Sequence, residues 1–64
     1  MYKMIVDNLG QLGIRVSVTI KNDVAYLLTD RKYLHYDEID WIVKCNSFKG
    51  ISIQENMLVI EILV

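Results

Sequence analysis

The sequence predicts an α+β fold: one small domain over residues 1–64, in which two antiparallel hairpins form a four-stranded sheet with one or two helices packed on one face. Three observations lead there. The stretches Ile14 to Thr29 and Phe48 to Val64 run as β-branched and apolar residues interrupted by short polar breaks. Tyr36 to Cys45 repeats apolar residues at helical spacing. No proline, linker or low-complexity tract divides the chain. The order αββαββ is favoured, with βββαββ as the alternative if the first segment is extended.

Residues 1–12 set that alternative. As a helix they place Met1, Met4, Ile5, Leu9 and Leu12 on one face and Lys3, Asp7 and Gln11 on the other, with Gly10 or Gly13 as a left-handed stop. As a strand, only Tyr2, Met4 and Val6 alternate cleanly, so the helical reading is preferred.

Ile14 to Ile20 is the clearest strand, with Ile14, Val16, Val18 and Ile20 on one face and Arg15, Ser17 and Thr19 on the other. A three-residue loop, Lys21 to Asp23, returns the chain into Val24 to Thr29, pairing Ile20 with Val24, Val18 with Tyr26 and Val16 with Leu28. In the helix from Tyr36 to Cys45, Ile39, Ile42 and Val43 form the apolar stripe, acids crowd the first turn and Lys44 lies near the end, as the helix dipole favours. No strong N-cap residue precedes it, although Asp37 serves if the helix starts one residue later.

The second hairpin turns at Glu55-Asn56, pairing Ile53 with Leu58 and Ile51 with Ile60. Its last strand is apolar on both sides. Leu58, Ile60, Ile62 and Val64 form one face, and Met57, Val59 and Leu63 occupy the other, broken only by Glu61. Because one helical layer covers one face of a sheet, Phe48, Met57, Val59 and Leu63 are expected to meet a second copy of the chain. The halves also rhyme, Gly13-Ile14 with Gly50-Ile51 and Asn22-Asp23 with Glu55-Asn56.

Size and composition sharpen the expectation of self-association. A chain of 64 residues with 53% hydrophobic residues has little interior in which to place them. The usual supports of small domains are missing: Cys45 is the single cysteine, so no disulfide closes within the chain, and with His35 as the single histidine a four-ligand zinc site of nitrogen and sulfur is not expected. A dimer or higher homo-oligomer is the remaining route.

Chemistry is sparse. His35 has no serine, cysteine or carboxylate at a recognisable spacing; Asp37, Glu38 and Asp40 are ordinary first-turn acids; and Cys45 lies late in a helix, where the dipole disfavours a thiolate. No catalytic residue, cofactor or metal is assigned. A net charge of −1 argues against nucleic acid as the main partner, leaving a dimeric nucleic-acid-binding regulator as an alternative built on Arg15, Lys21, Arg31 and Lys32. A small-molecule pocket between subunits is a further alternative. No apolar run approaches the roughly 20 residues of a membrane-spanning helix, and a free thiol without an export signal fits the cytoplasm.

Tyr33, Tyr36, Asp37, Asp40 and Trp41 mark the rim of the second helix as a surface for a protein partner, Trp41 reading equally as a core residue or an exposed anchor. In size and make-up the chain resembles short accessory proteins of phages and other mobile elements, many of which bind and block a host protein. No motif carries that likeness, which implies an interaction protein of inhibitory type.

Overall fold

The computed structural model describes residues 2–64 and runs α1 (Tyr2–Gln11), β1 (Val16–Lys21), β2 (Val24–Thr29), α2 (Tyr36–Val43), β3 (Phe48–Gln54), β4 (Met57–Leu63). The αββαββ order therefore holds. All strand pairs are antiparallel, and the order across the sheet is β1-β2-β4-β3, so the two hairpins join through their second strands.

Helix α1 buries Ile5 and Leu9, with Tyr2 and Val6 packed beside them. That stripe follows the helical spacing of 2, 5, 6 and 9 and leaves Met4 and Leu12, expected inside, exposed to solvent. Met1, placed on the same stripe by the sequence, lies outside the described residues. Gly13 ends the helix at φ 82°, its N–H donating to the Gly10 carbonyl and the Ile14 N–H to the Leu9 carbonyl, both at 3.0 Å. These are the two bonds of a Schellman cap, and Ile14 and Leu9 then share the core, as that cap favours.

Both hairpins close through two-residue turns. Asn22 and Asp23 have φ of 53° and 63°, and Glu55 and Asn56 have 53° and 68°. Two left-handed residues in succession are the type I′ pattern, which matches the twist of the flanking strands. The second register is the one expected, Ile53 opposite Leu58 and Ile51 opposite Ile60. The first is not. Lys21 belongs to β1, so Ile20 faces Ala25, Val18 faces Leu27 and Val16 faces Thr29. This slip of one residue transfers Val24, Tyr26 and Leu28 to the other side of the sheet.

Between β2 and β4 the pairing is internally symmetric. Leu27, fourth in β2, faces Ile60, fourth in β4; Tyr26 faces Glu61 and Leu28 faces Val59. A local twofold axis therefore passes between Leu27 and Ile60, relating one turn to the other. The likeness of Gly13-Ile14 to Gly50-Ile51 does not survive it: Gly13 caps a helix, whereas Gly50 lies inside β3 beside a bulge.

Leu27, Ala25, Ile60 and Ile62 point toward the helices and form the core with Ile5, Leu9, Ile14, Leu34 and Ile42. The only buried polar residue among those described, Thr29, is satisfied by donating its hydroxyl to the Leu58 carbonyl at 2.8 Å. The molecule measures 27 × 25 × 17 Å, and its shortest dimension accommodates one sheet and one layer of helix, leaving the second sheet face uncovered.

Glu55 is the least suited of the four turn residues to a left-handed backbone, since a β-carbon there costs roughly 1 kcal/mol unless the side chain is Asn, Asp or Gly. Replacing Glu55-Asn56 by Asn-Gly is expected to raise the unfolding free energy by about 1 kcal/mol, seen as a higher urea midpoint at unchanged slope. A lowered midpoint contradicts the turn assignment.

Candidate functional site

Two surfaces carry the residues singled out by the sequence, and a third emerges from the structure. The first lies between the helices, where the C-terminal turn of α1 meets the N-terminal turn of α2. His35 is the N-cap of α2, and its backbone N–H donates to the Glu38 carboxylate at 2.9 Å. That reach back from the third helical residue is one half of a capping box and explains a helix start without a short polar cap side chain. Asp37 is therefore inside the helix, in its first turn, and not the cap.

From that start, Ile42 points fully into the core and Ile39 packs against it, while Val43, expected in the stripe, is exposed. Trp41 is turned to the side, 40% exposed, and is neither a core residue nor fully free. With Asp37 and Glu38 it lines a groove of about 300 Å³ whose opposite wall is Asn8, Leu9 and Leu12. The floor is apolar and one rim is acidic. Asp37 and Trp41 thus come together.

Tyr33 lines an adjoining cavity of about 340 Å³ that shares Leu12 and Glu38 as walls, its ring edge-to-face with His35 at 6.4 Å. Tyr36 and Asp40 are in neither cavity. Tyr36 projects into solvent, and Asp40 holds Lys44 one helical turn on, at 3.0 Å. Leu12 was missed because its spacing placed it under α1; the Schellman cap instead turns it out between the helices.

The second surface is the uncovered sheet face. Rows run across it as Ser17, Leu28, Val59, Ser52 and as Thr19, Tyr26, Glu61, Gly50, with Lys21, Val24 and Leu63 forming another. Of the four residues expected here, Met57, Val59 and Leu63 have the expected side. Val59 is only 3% exposed, hemmed in by its neighbours on a central strand, so it offers little area to a partner. Phe48 is a correction: a bulge between Phe48 and Gly50 pairs it with Ile62 and directs it to the helix side, where it packs on the core. Tyr26 and Leu28, both half-buried, take its place, with Val24 buried beside Leu63 on the same side; the assumed three-residue loop had put all three on the other face. Lys49 and Glu61 pair at 3.6 Å beside the bulge.

The third surface was not anticipated. On the helix side, the outer strands extend beyond the helices. Val18 and Ile20 of β1 are 39% and 53% exposed, and their counterparts Ile51 and Ile53 of β3 are also exposed, Ile53 to 69%. Their alternation marked them as core-facing, which is correct in direction, but cover stops short of the turn-proximal ends of the outer strands: Val16 and Phe48 pack on the core, whereas Val18, Ile20, Ile51 and Ile53 stay exposed.

Among the described residues, ion pairs form between Asp30 and Arg31, Asp40 and Lys44, and Lys49 and Glu61. Arg31 donates to the Gly13 carbonyl at 3.2 Å and lies 3.4 Å from Asp30, whose carboxylate also accepts the Arg15 backbone N–H at 3.2 Å. Among the described residues, no three His, Cys, Asp or Glu side chains are grouped so as to share a metal ion. Cys45 is half-buried, its thiol directed at the Trp41 carbonyl at 3.7 Å. None of the helices formed by described residues is long and apolar enough to cross a membrane. Comparison with protein-family models, curated proteins and solved structures returned no match.

The contrast between Trp41 and its neighbour gives a direct test of the groove. Ile42→Ala is expected to cost about 2–5 kcal/mol of stability, as deletion of a fully buried isoleucine does, whereas Trp41→Ala, at a side chain already 40% exposed, is expected to cost distinctly less. Chemical denaturation of both variants measures the difference; equal losses place Trp41 in the core.

Proposed function

We propose that this chain is a small non-enzymatic binding protein that associates with itself and acts by covering a surface of a partner protein. One observation supports the reading above others: after both helices and all four strands have packed, large apolar side chains still stand in solvent at the helix groove and along both outer strands. Exposed apolar surface of that extent on so small a domain favours burial by another chain. The long face of the molecule, 27 by 25 Å, is comparable to the roughly 800 Å² that each partner contributes to a standard interface.

The two roles divide naturally over the surfaces. Self-association draws on the sheet and its edges. The partner protein is met at the helix groove, where Trp41 and Leu12 offer an apolar floor and Asp37 and Glu38 an acidic rim. That combination suits a partner segment with an apolar anchor next to a lysine or arginine, whose cation gains from both the carboxylates and the indole face. Action by occupancy, as an inhibitor blocking its partner, requires nothing beyond such contacts.

Light scattering after gel filtration at tens of micromolar tests the first half. A mass at least twice the 7.5 kDa monomer is expected, and a strict monomer overturns it. For the second half, the tagged chain is compared with a Trp41→Ala, Asp37→Lys variant of unchanged fold: proteins retained by the original chain are expected to be lost from the variant. Equal retention by both removes the groove from the reading.

A further inference from the structure

The two outer edges of the sheet are not alike. Along β3 the edge is interrupted by the bulge at Phe48/Gly50, by Gly50 itself and by Lys49, features that deter pairing with another strand. Along β1, Val16-Ser-Val-Thr-Ile-Lys21, there is no bulge, glycine or proline, and its first five residues carry no charge. An edge of that kind is open to strand addition.

Its hydrogen-bonding groups can be assigned. Lys21 and Val24 flank a two-residue turn, so they form the closing pair, bonded in both directions. Alternation then directs the peptide groups of Thr19 and Ser17 toward β2 as well, and the Arg15 carbonyl, which accepts the Asp30 N–H at 3.1 Å, follows the same parity. The N–H and carbonyl groups of Val16, Val18 and Ile20 therefore point outward. The exposure of Val18 and Ile20 places their side chains clear of the helices at the same edge.

We infer that β1 pairs with β1 of a second copy, antiparallel about a twofold axis through Thr19, to give one continuous eight-stranded sheet. This rests on the self-association proposed above and specifies its geometry. Parity requires the axis to pass through a residue, because outward-facing groups must meet outward-facing groups. An axis at Val18 sets Arg15 against Lys21 of the partner subunit, a like-charge clash. One at Ile20 runs the strand into the turn, and one at Ser17 runs it into buried Ile14. The axis at Thr19 sets Val18 beside Ile20 of the partner subunit as a bonded pair, twice by symmetry, and carries Arg15 past Lys21 of the partner subunit, beyond the end of the paired strand. Exposed apolar residues are thereby covered and the like-charge contact is avoided. Since the axis is perpendicular to the sheet, the uncovered faces of both copies lie on one side.

At the axis Thr19 faces its own symmetry mate in a non-hydrogen-bonded pair, where α-carbons approach to about 4.5 Å, within disulfide range. In a Cys45→Ser background, Thr19→Cys is expected to cross-link to a covalent dimer under mild oxidation, while Ser17→Cys, displaced from the axis, does not. Val18→Pro removes an outward N–H that the monomer does not use, and is expected to keep the circular dichroism of the original chain while weakening self-association roughly tenfold or more. Ile20→Lys provides the same readout if the proline variant fails to fold. A dimer that persists in these variants, with no cross-link formed by Thr19→Cys, overturns the edge pairing and leaves self-association standing. A strictly monomeric original chain overturns both.

Discussion

Everything in this molecule depends on the antiparallel pairing of β2 with β4. A lone two-stranded hairpin is marginal in water, and neither half of the chain has enough core to stand by itself. Setting Leu27 opposite Ile60 joins the hairpins through their most apolar strands, and the two helices then cover that seam from one side. The core is centred there: Ala25, Leu27, Ile60 and Ile62 below, with Ile5, Leu9 and Ile42 above.

The same pairing decides which surfaces remain for other work. Placing the second strand of each hairpin in the centre sends β1 and β3 to the edges, where Val18, Ile20, Ile51 and Ile53 face the helix side but receive little cover. It also leaves a whole sheet face without a second layer. The central position of Val59 makes it inaccessible even there, so the available apolar area on that face belongs to Leu63 and to the half-buried Tyr26, Leu28 and Met57. The local twofold axis relates β2 to β4 and one turn to the other, but the outer strands differ, since only β3 carries a bulge.

The helix groove arises from a separate pair of local devices. The Schellman cap at Gly13 turns Leu12 outward, and the contact of Glu38 with the His35 backbone begins α2 where Asp37 and Trp41 share a side. Neither device adds catalytic chemistry. What they build is a small apolar floor with an acidic rim.

Much of this was legible in the amino-acid sequence, for reasons that are local. Alternation over Val16 to Ile20, the spacing of Ile39 and Ile42, the stop at Gly13 and the turn at Glu55-Asn56 depend on residues close in the chain, so the element order, the fold class and the second register could be derived from them. The uncovered apolar side of β4 was visible in Met57, Val59 and Leu63 for the same reason. Tertiary structure decided the rest. Whether Lys21 extends a strand or joins a loop is a choice between turn geometries of similar local merit, and the type I′ turn prevails by matching strand twist, moving Tyr26 and Leu28 across the sheet. The bulge that turns Phe48 inward, and the reach of two short helices that leaves Val18 and Ile20 in solvent, are set by how whole elements fit over one another, which no window of sequence contains.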